Sequence, residues 1–257
     1  MTAAEINTRL AAQLKELRLP TIRACYEEMA DMARREALSF EHYLLELLDR
    51  EQEVRAQHRI ERLLRESRLP PEKTLEAFDR SRLPRRVDLQ VSALIEGSFL
   101  DRRENVLAFG NPGSGKTHLL SGIGHALVGQ GRRVLFTSCQ LLVQELLVAK
   151  QALLLPQKLK RLARYEAIIL DDIGYVQQSQ QEMEVLFTLL AYRYERGSLM
   201  ITSNLPFSQW ETIFKNPMTT AAAIDRLVHH SVILELNLPS YRLEASKQRL
   251  EQEGASQ

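Results

Sequence analysis

The residues best able to do chemistry form one run: Gly110, Asn111, Pro112, Gly113, Ser114, Gly115, Lys116, Thr117 and His118. Glycines at its first, fourth and sixth places let the backbone wrap a phosphate with consecutive N–H groups turned inward. The helix expected over His118–Val128 adds the positive end of its dipole. At this spacing Lys116 reaches the β- and γ-phosphates of a nucleoside triphosphate, and the Thr117 hydroxyl holds Mg²⁺. The apolar stretch Val106–Phe109 leads in as a strand and a helix leads out, and a plain Gly-rich turn explains neither flank. The cofactors this implies are ATP and magnesium.

Two carboxylates, Asp171 and Asp172, follow the apolar run Ile168–Leu170, and Asp171 lies 54 positions after Thr117. A strand ending in Asp-Asp is common, because aspartate favours turns. Beside the phosphate loop the pair takes a sharper meaning: Asp171 binds magnesium through water, and Asp172 orients or deprotonates the attacking water. Glutamate is frequent at the second place in such sites, and aspartate is one methylene shorter. A third element, Leu199–Thr202, ends in Ser203-Asn204. Asn204 reads either as the start of the turn before Pro206 or, next to the carboxylate strand, as a sensor of the γ-phosphate and the lytic water. Arg226, on a helix just before the last apolar run Val232–Leu236, is either a surface partner of Asp225 or a cation reaching into a neighbouring subunit's nucleotide site. Arg242 is a second candidate phosphate sensor or an exposed cation, and Arg196 reads as a cation at a helix C-terminus.

The elements that must position these groups are legible from the apolar pattern. Val106–Phe109, Val134–Phe136, Ile168–Leu170, Leu199–Thr202 and Val232–Leu236 are short apolar runs separated by helical segments, the pattern of an α/β fold with a five-stranded parallel sheet. Residues 1–68 read as a small all-helical domain. One face carries Ile6, Leu10, Leu14 and Leu17, a second Ile22, Tyr26, Met29 and Ala33. A long third helix capped by Ser39 carries Phe40, Tyr43, Leu44, Leu47 and Leu48. Leu19-Pro20 stops the first of these. Pro70, Pro71 and Pro84 mark the stretch 67–86 as the junction, so residues 69–257 form the linker and the second domain. Only about twenty residues follow the last strand. That length argues against a C-terminal lid domain and against a helix-turn-helix reader.

With 257 residues, 44% hydrophobic and 26% charged, the chain is long enough for one sizeable α/β domain and a smaller appendage. Its formal charge of +1 points to no partner. Cys25 and Cys139 belong to no metal-binding spacing and read as reduced thiols. No run approaches a membrane span or a signal peptide, so the expectation is a cytoplasmic protein without membrane attachment.

The segments GNPGSGKTH, IILDDIG, MITSN and AAIDRL, in this order, resemble the IstB-type helper ATPases of bacterial insertion sequences, within the helicase-loader and replication-initiator branch of AAA+ proteins. The likeness extends to Arg59–Asp79 (RIERLLRESRLPPEKTLEAFD) and so to nearly the whole chain. The resemblance implies an AAA+ ATPase that forms a homo-oligomeric ring or filament on duplex DNA and delivers that DNA to a transposase. It favours Arg226 as a finger acting on the next subunit. The rival reading is a helicase loader that grips a replicative helicase through its N-terminal helices. A small-molecule P-loop kinase would need an acceptor pocket and an Arg-rich lid, neither of which is evident.

Local charge supplies the candidate DNA contacts. From Arg132 to Arg164 there are seven Lys/Arg against the single acid Glu145, and in the initiator-like branch an inserted helix here faces the centre of the assembly. Lys158, Lys160, Arg161 and Arg164 are the candidates for phosphate contact. From Arg55 to Arg86 ten Lys/Arg face five acids, and Arg55, Arg59 and Arg62 share one helical face, which reads equally as a DNA contact or as a solvated surface.

Overall fold

A computed structural model of the chain describes residues 1–174, 179–214 and 217–241. The five apolar runs become five strands, β1 (Asn105–Gly110), β2 (Val134–Ser138), β3 (Ala167–Ile173), β4 (Ser198–Ser203) and β5 (Ser231–Leu236). They lie in the order β2-β3-β4-β1-β5, every pair parallel. Around them run α4 (Arg85–Ile95), α5 (Ser98–Asp101), α6 (Lys116–Gly129), α7 (Cys139–Gln151), α8 (Leu155–Leu162), α9 (Gln180–Arg193), α10 (Glu211–Phe214) and α11 (Pro217–Val228).

Successive side chains of a strand point to opposite faces, and here both faces are covered. Leu107, Ile168, Leu170, Leu199 and Ile201 enter a core shared with α7 to α11. Val106, Ala108, Ile169, Met200 and Leu234 enter a second core with α4, α5 and α6. This explains why the strands read as continuous apolar runs instead of alternating ones. Functional groups are thereby confined to the strand ends, where the backbone leaves the sheet.

The lower rim of the sheet is held by a residue the sequence pattern does not single out. Arg193, at the C-terminus of α9, is only 2% exposed. Its guanidinium donates to the carbonyls of Leu162, Tyr165, Glu166 and Ser198, at 3.2, 2.7, 3.0 and 2.9 Å. Burial lowers its pKa to about 10, which leaves it charged at neutral pH. Side chains at Gly197 are excluded, since a Cβ there would lie 2.4 Å from Arg193 Nη2. The starts of β3 and β4 are therefore fixed together, and their far ends carry the candidate carboxylates and Asn204. Arg196, three residues on, stacks over the Tyr192 ring at 5.2 Å.

The chain divides into two compact units, Met1–Arg62 and Leu63–Gln257. In the first, α1 (Ala3–Glu16), α2 (Pro20–Arg35) and the first part of α3 (Phe40–Ser67) pack Leu14, Ile22, Met29 and Leu47 together. A capping box between Thr2 and Glu5 opens α1. Pro20 does not simply end α1. It is the first residue of α2, whose N-cap Leu19 has no side chain able to cap. Glu51 of α3 performs that task, accepting from the backbone N–H groups of Thr21 at 2.9 Å and Ile22 at 3.0 Å. Burial pushes the Glu51 carboxyl upward. The N–H of Ile22, the Arg55 guanidinium and the N–H of Thr21 outweigh this and hold it below its ordinary range.

The prediction that no lid follows the last strand falls on residues 242–257, outside the described residues, as does Arg242. Among the described residues no helix is long and apolar enough to cross a membrane.

Candidate functional site

The glycine run links the end of β1 to the start of α6, as the strand–loop–helix reading requires. Gly110 approaches β5 so closely that a Cβ would stand 2.2 Å from the Leu236 carbonyl oxygen. Gly115 is left-handed, at φ +93°, immediately before the first helical residue, Lys116. The loop is buttressed from above: Tyr241 donates its backbone N–H to Gly113 O at 3.1 Å. Lys116 is 5% exposed, and its ammonium lies across the loop, donating to Gly110 O at 2.8 Å and Asn111 O at 2.9 Å.

A cavity of about 610 Å³ opens over this loop. Gly113, Ser114, Gly115, Lys116, Thr117 and His118 line one side, and Asp172 and Asn204 reach it from the ends of β3 and β4. Two groups here are conspicuous: Ser114 Oγ and Asn204 Oδ1 are buried and have no hydrogen-bond partner among the described residues. Buried polar atoms are usually satisfied. Orphans at a cavity rim, beside a cradle whose glycines admit no side chain, fit a ligand rich in donors and acceptors such as a triphosphate with its cation.

Asp171 sits one residue behind the cavity wall. Its Oδ1 accepts from the Thr202 hydroxyl at 2.8 Å, and that same hydroxyl accepts from the backbone N–H of Asp172 at 2.8 Å. Asp172 is left-handed, at φ +58°. The carboxylates, Thr117 and Asn204 thus come from three neighbouring elements, β3, α6 and the end of β4, to one end of the sheet.

The far wall comes from the junction and from the segment after β5, where the sequence singled out none of the residues that line the cavity. Phe78 meets the His118 ring edge-on at 5.3 Å, and His118 Nε2 is 2.9 Å from the Thr74 carbonyl. Arg82 lies over the Tyr241 ring at 5.4 Å. Together these residues form the apolar and cationic side that a nucleobase and sugar can occupy. A lone phenylalanine inside a proline-rich junction is the one signal that could have pointed here.

Arg226 lies elsewhere. It lines a separate cavity of about 330 Å³ with Asp101, Arg103, Asn105, Tyr194 and Glu195. Asn105 begins β1 and Gly110 ends it, so the two cavities open at opposite ends of one strand, roughly 17 Å of rise apart. The Arg226 guanidinium rests over the Phe187 ring at 4.9 Å and donates to Ala222 O at 2.9 Å.

The candidate DNA contacts divide. Lys158 is bonded to Glu145, which also faces Arg68 at 3.6 Å. Lys160, Arg161 and Arg164 stand exposed on and just after α8, whose Leu159 and Leu162 anchor it in the core. Arg55 is engaged inside its own unit, with Glu51 at 2.7 Å and with the Arg18 carbonyl. Arg59 and Arg62 also carry interactions of their own.

A parallel sheet in this order, with a phosphate loop after β1, carboxylates at the end of β3 and a polar residue after β4, defines the AAA+ class of P-loop proteins. The comparisons narrow this further: the profile of the IstB-like ATP binding proteins matches residues 12–249, and the chain belongs to that family. A Sinorhizobium fredii protein described as an insertion sequence ATP-binding protein is 45% identical over 95% of this chain and 83% of its own length. A second, the IS21 ATP-binding protein of Pseudomonas aeruginosa, is 36% identical over 93% of this chain and 90% of its own. Among solved structures the DnaC helicase loader superposes with a TM-score of 0.55 at 17% identity, covering 64% of this chain and 97% of that one, a likeness of fold.

Proposed function

We propose that this chain is a magnesium-dependent ATPase that assembles on duplex DNA as the helper of a transposase, hydrolysing ATP between neighbouring subunits. The observation that carries the reading is the division of the site between two ends of the sheet. Lys116, Thr117, Asp171, Asp172 and Asn204 gather at one end, while Arg226 stands at the other, beyond reach of its own phosphate loop. A nucleotide held at the first end meets an Arg226 guanidinium only if another copy supplies it.

In this reading the backbone N–H groups of residues 113–117 and the Lys116 ammonium hold the phosphates, and Thr117 and Asp171 hold the magnesium ion. The bound ion supplies charge neutralisation along the triphosphate. Asp172 holds the attacking water and accepts its proton, and Asn204 Oδ1 or its amide fixes that water or the terminal phosphate. Phe78 and His118 close the nucleobase end. The position of Arg226, away from its own phosphate loop, supports assembly as a ring or filament of copies, and a cytoplasmic location belongs to the same reading.

Lys160, Arg161 and Arg164 are the contacts we assign to DNA phosphates. Such contacts are tolerant of sequence and release counterions, so binding weakens steeply with salt. Replacing all three by alanine is expected to lower the slope of log affinity against log salt by about three. Lys158→Ala, whose charge already faces Glu145, is expected to leave the slope nearly unchanged. Equal slopes for the triple variant and the parent protein would remove α8 from the interface.

The fold shared with a helicase loader supports a second reading, in which the client is a replicative helicase. A pull-down from cells carrying both candidates separates the two. Recovery of the transposase supports the helper role, and recovery of the helicase alone overturns it.

A further inference from the structure

The ladder between β3 and β4 pairs Leu170 with Ile201 and then Ile173 with Ser203, so two residues of β3, Asp171 and Asp172, oppose the single residue Thr202 of β4. This is a β-bulge, and it falls on the two carboxylates. In a regular strand Asp171 and Asp172 would project to opposite faces of the sheet. A bulge breaks that alternation and re-aims a side chain, which is why bulges gather beside functional sites. Here the break places Asp172 in the left-handed region, at φ +58°, and directs it to the cavity wall. Left-handed backbone is unfavourable for any residue with a Cβ, though aspartate tolerates it better than most. Something must hold it there.

We infer that Thr202 is the positioning residue that holds both carboxylates in working register for the magnesium ion and the attacking water. The inference rests on the magnesium-ATP reading given above. At the bulge the Asp172 N–H donates to the Thr202 hydroxyl at 2.8 Å. The hydroxyl's own proton goes to Asp171 Oδ1 at 2.8 Å, so one buried oxygen fixes the backbone of one carboxylate residue and the side chain of the other. Thr202 is 0% exposed, and its hydroxyl uses its single donor on Asp171 and one of its two lone pairs on Asp172. With Oδ1 bonded to Thr202, the Asp171 carboxylate is held in one orientation, and its other oxygen is the one that would serve the cation. Partners that orient a metal-binding carboxylate in this way typically account for about 10–100-fold in metal affinity or activity. The β-branched side chain also suits a buried strand, so valine at 202 preserves volume while deleting both hydrogen bonds.

The test is the magnesium-dependent gain in nucleotide affinity, measured with a fluorescent non-hydrolysable ATP analogue in the presence of Mg²⁺ and in the presence of EDTA. Thr202→Val is expected to bind the analogue as the parent protein does in EDTA, and to lose about 10–100-fold of the gain that Mg²⁺ confers. Thr202→Ser, which keeps the hydroxyl, restores most of the gain. Asp171→Asn lowers the gain by itself, and Thr202→Val added to it has little further effect, because the two act as one unit. A full magnesium gain in folded Thr202→Val overturns the inference. Should Thr202→Val not fold, the decision passes to Thr202→Ser with Thr202→Ala: equal gains in both overturn it, and a gain kept only by serine supports it. If the parent protein shows no magnesium gain at all, the underlying magnesium-ATP reading fails and takes the inference with it.

Discussion

Lys116→Ala is expected to abolish nucleotide-dependent behaviour while leaving the fold intact. The lysine ammonium is almost fully buried in the phosphate loop and bonds to two loop carbonyls, so it is already held where a triphosphate would need it. Deleting it removes the one positive side chain of the loop, and the loss of a single group that stabilises developing charge lowers turnover by about 10²–10³-fold. The check is thermal unfolding with and without ATP and magnesium. Saturation at 100 times the dissociation constant stabilises a protein by about 2.7 kcal/mol, and that shift is expected in the parent chain and absent in the variant. ATP-dependent assembly is lost with it. A variant that still shows the full ATP-dependent shift and still assembles would show that the loop is not the nucleotide site.

Arg226→Ala gives the second large effect, and it differs in kind. The residue lies at the opposite end of β1 from the phosphate loop, so nucleotide binding and its stabilising shift remain. Turnover falls by about 10³-fold or more, the scale of a lost arginine finger. In the proposed arrangement the finger serves the loop of a different copy, so two inactive variants are expected to complement each other. Equal mixtures of Lys116→Ala and Arg226→Ala bring intact loops against intact fingers at about a quarter of randomly paired interfaces. Turnover is therefore expected to reappear on mixing, at a fraction of the parent rate. Mixtures as inactive as their components, in assemblies shown to contain both chains, would place Arg226 outside the reaction. The resting contact of the guanidinium with the Phe187 ring and the Ala222 carbonyl is modest, and a neighbouring phosphate readily outcompetes it.

How much of this was readable in advance follows from where each interaction lies in the chain. The five strands were legible because burial on both faces forces unbroken apolar runs, and Val106–Phe109 or Ile168–Leu170 admit no other reading once helices flank them. The phosphate loop was legible because its chemistry is local, nine residues in sequence. The bulge at Asp171 and Asp172 was not, since it depends on a hydroxyl 31 residues from Asp171. The same limit hid Glu51, which caps a helix by accepting from Thr21, 30 residues earlier, and Arg193, whose carbonyl partners include Leu162, 31 residues away. Charge alone does not tell which cations already have partners. Arg55 shares a helical face with Arg59 and Arg62 but works as a partner of Glu51, and Lys158 faces Glu145 on the neighbouring helix α7. Spacing on one helix gives a face, and only the packing of other helices tells whether that face is free.

The most direct test of the central claim is ATP hydrolysis by the full chain with and without duplex DNA, at low and at raised salt, with assembly size followed in the same samples. DNA is expected to stimulate turnover, salt to remove the stimulation as counterion release requires, and large complexes to form only with ATP. Turnover and size that are indifferent to DNA at every salt concentration would contradict that claim, leaving an ATP-dependent switch that acts on a protein client alone.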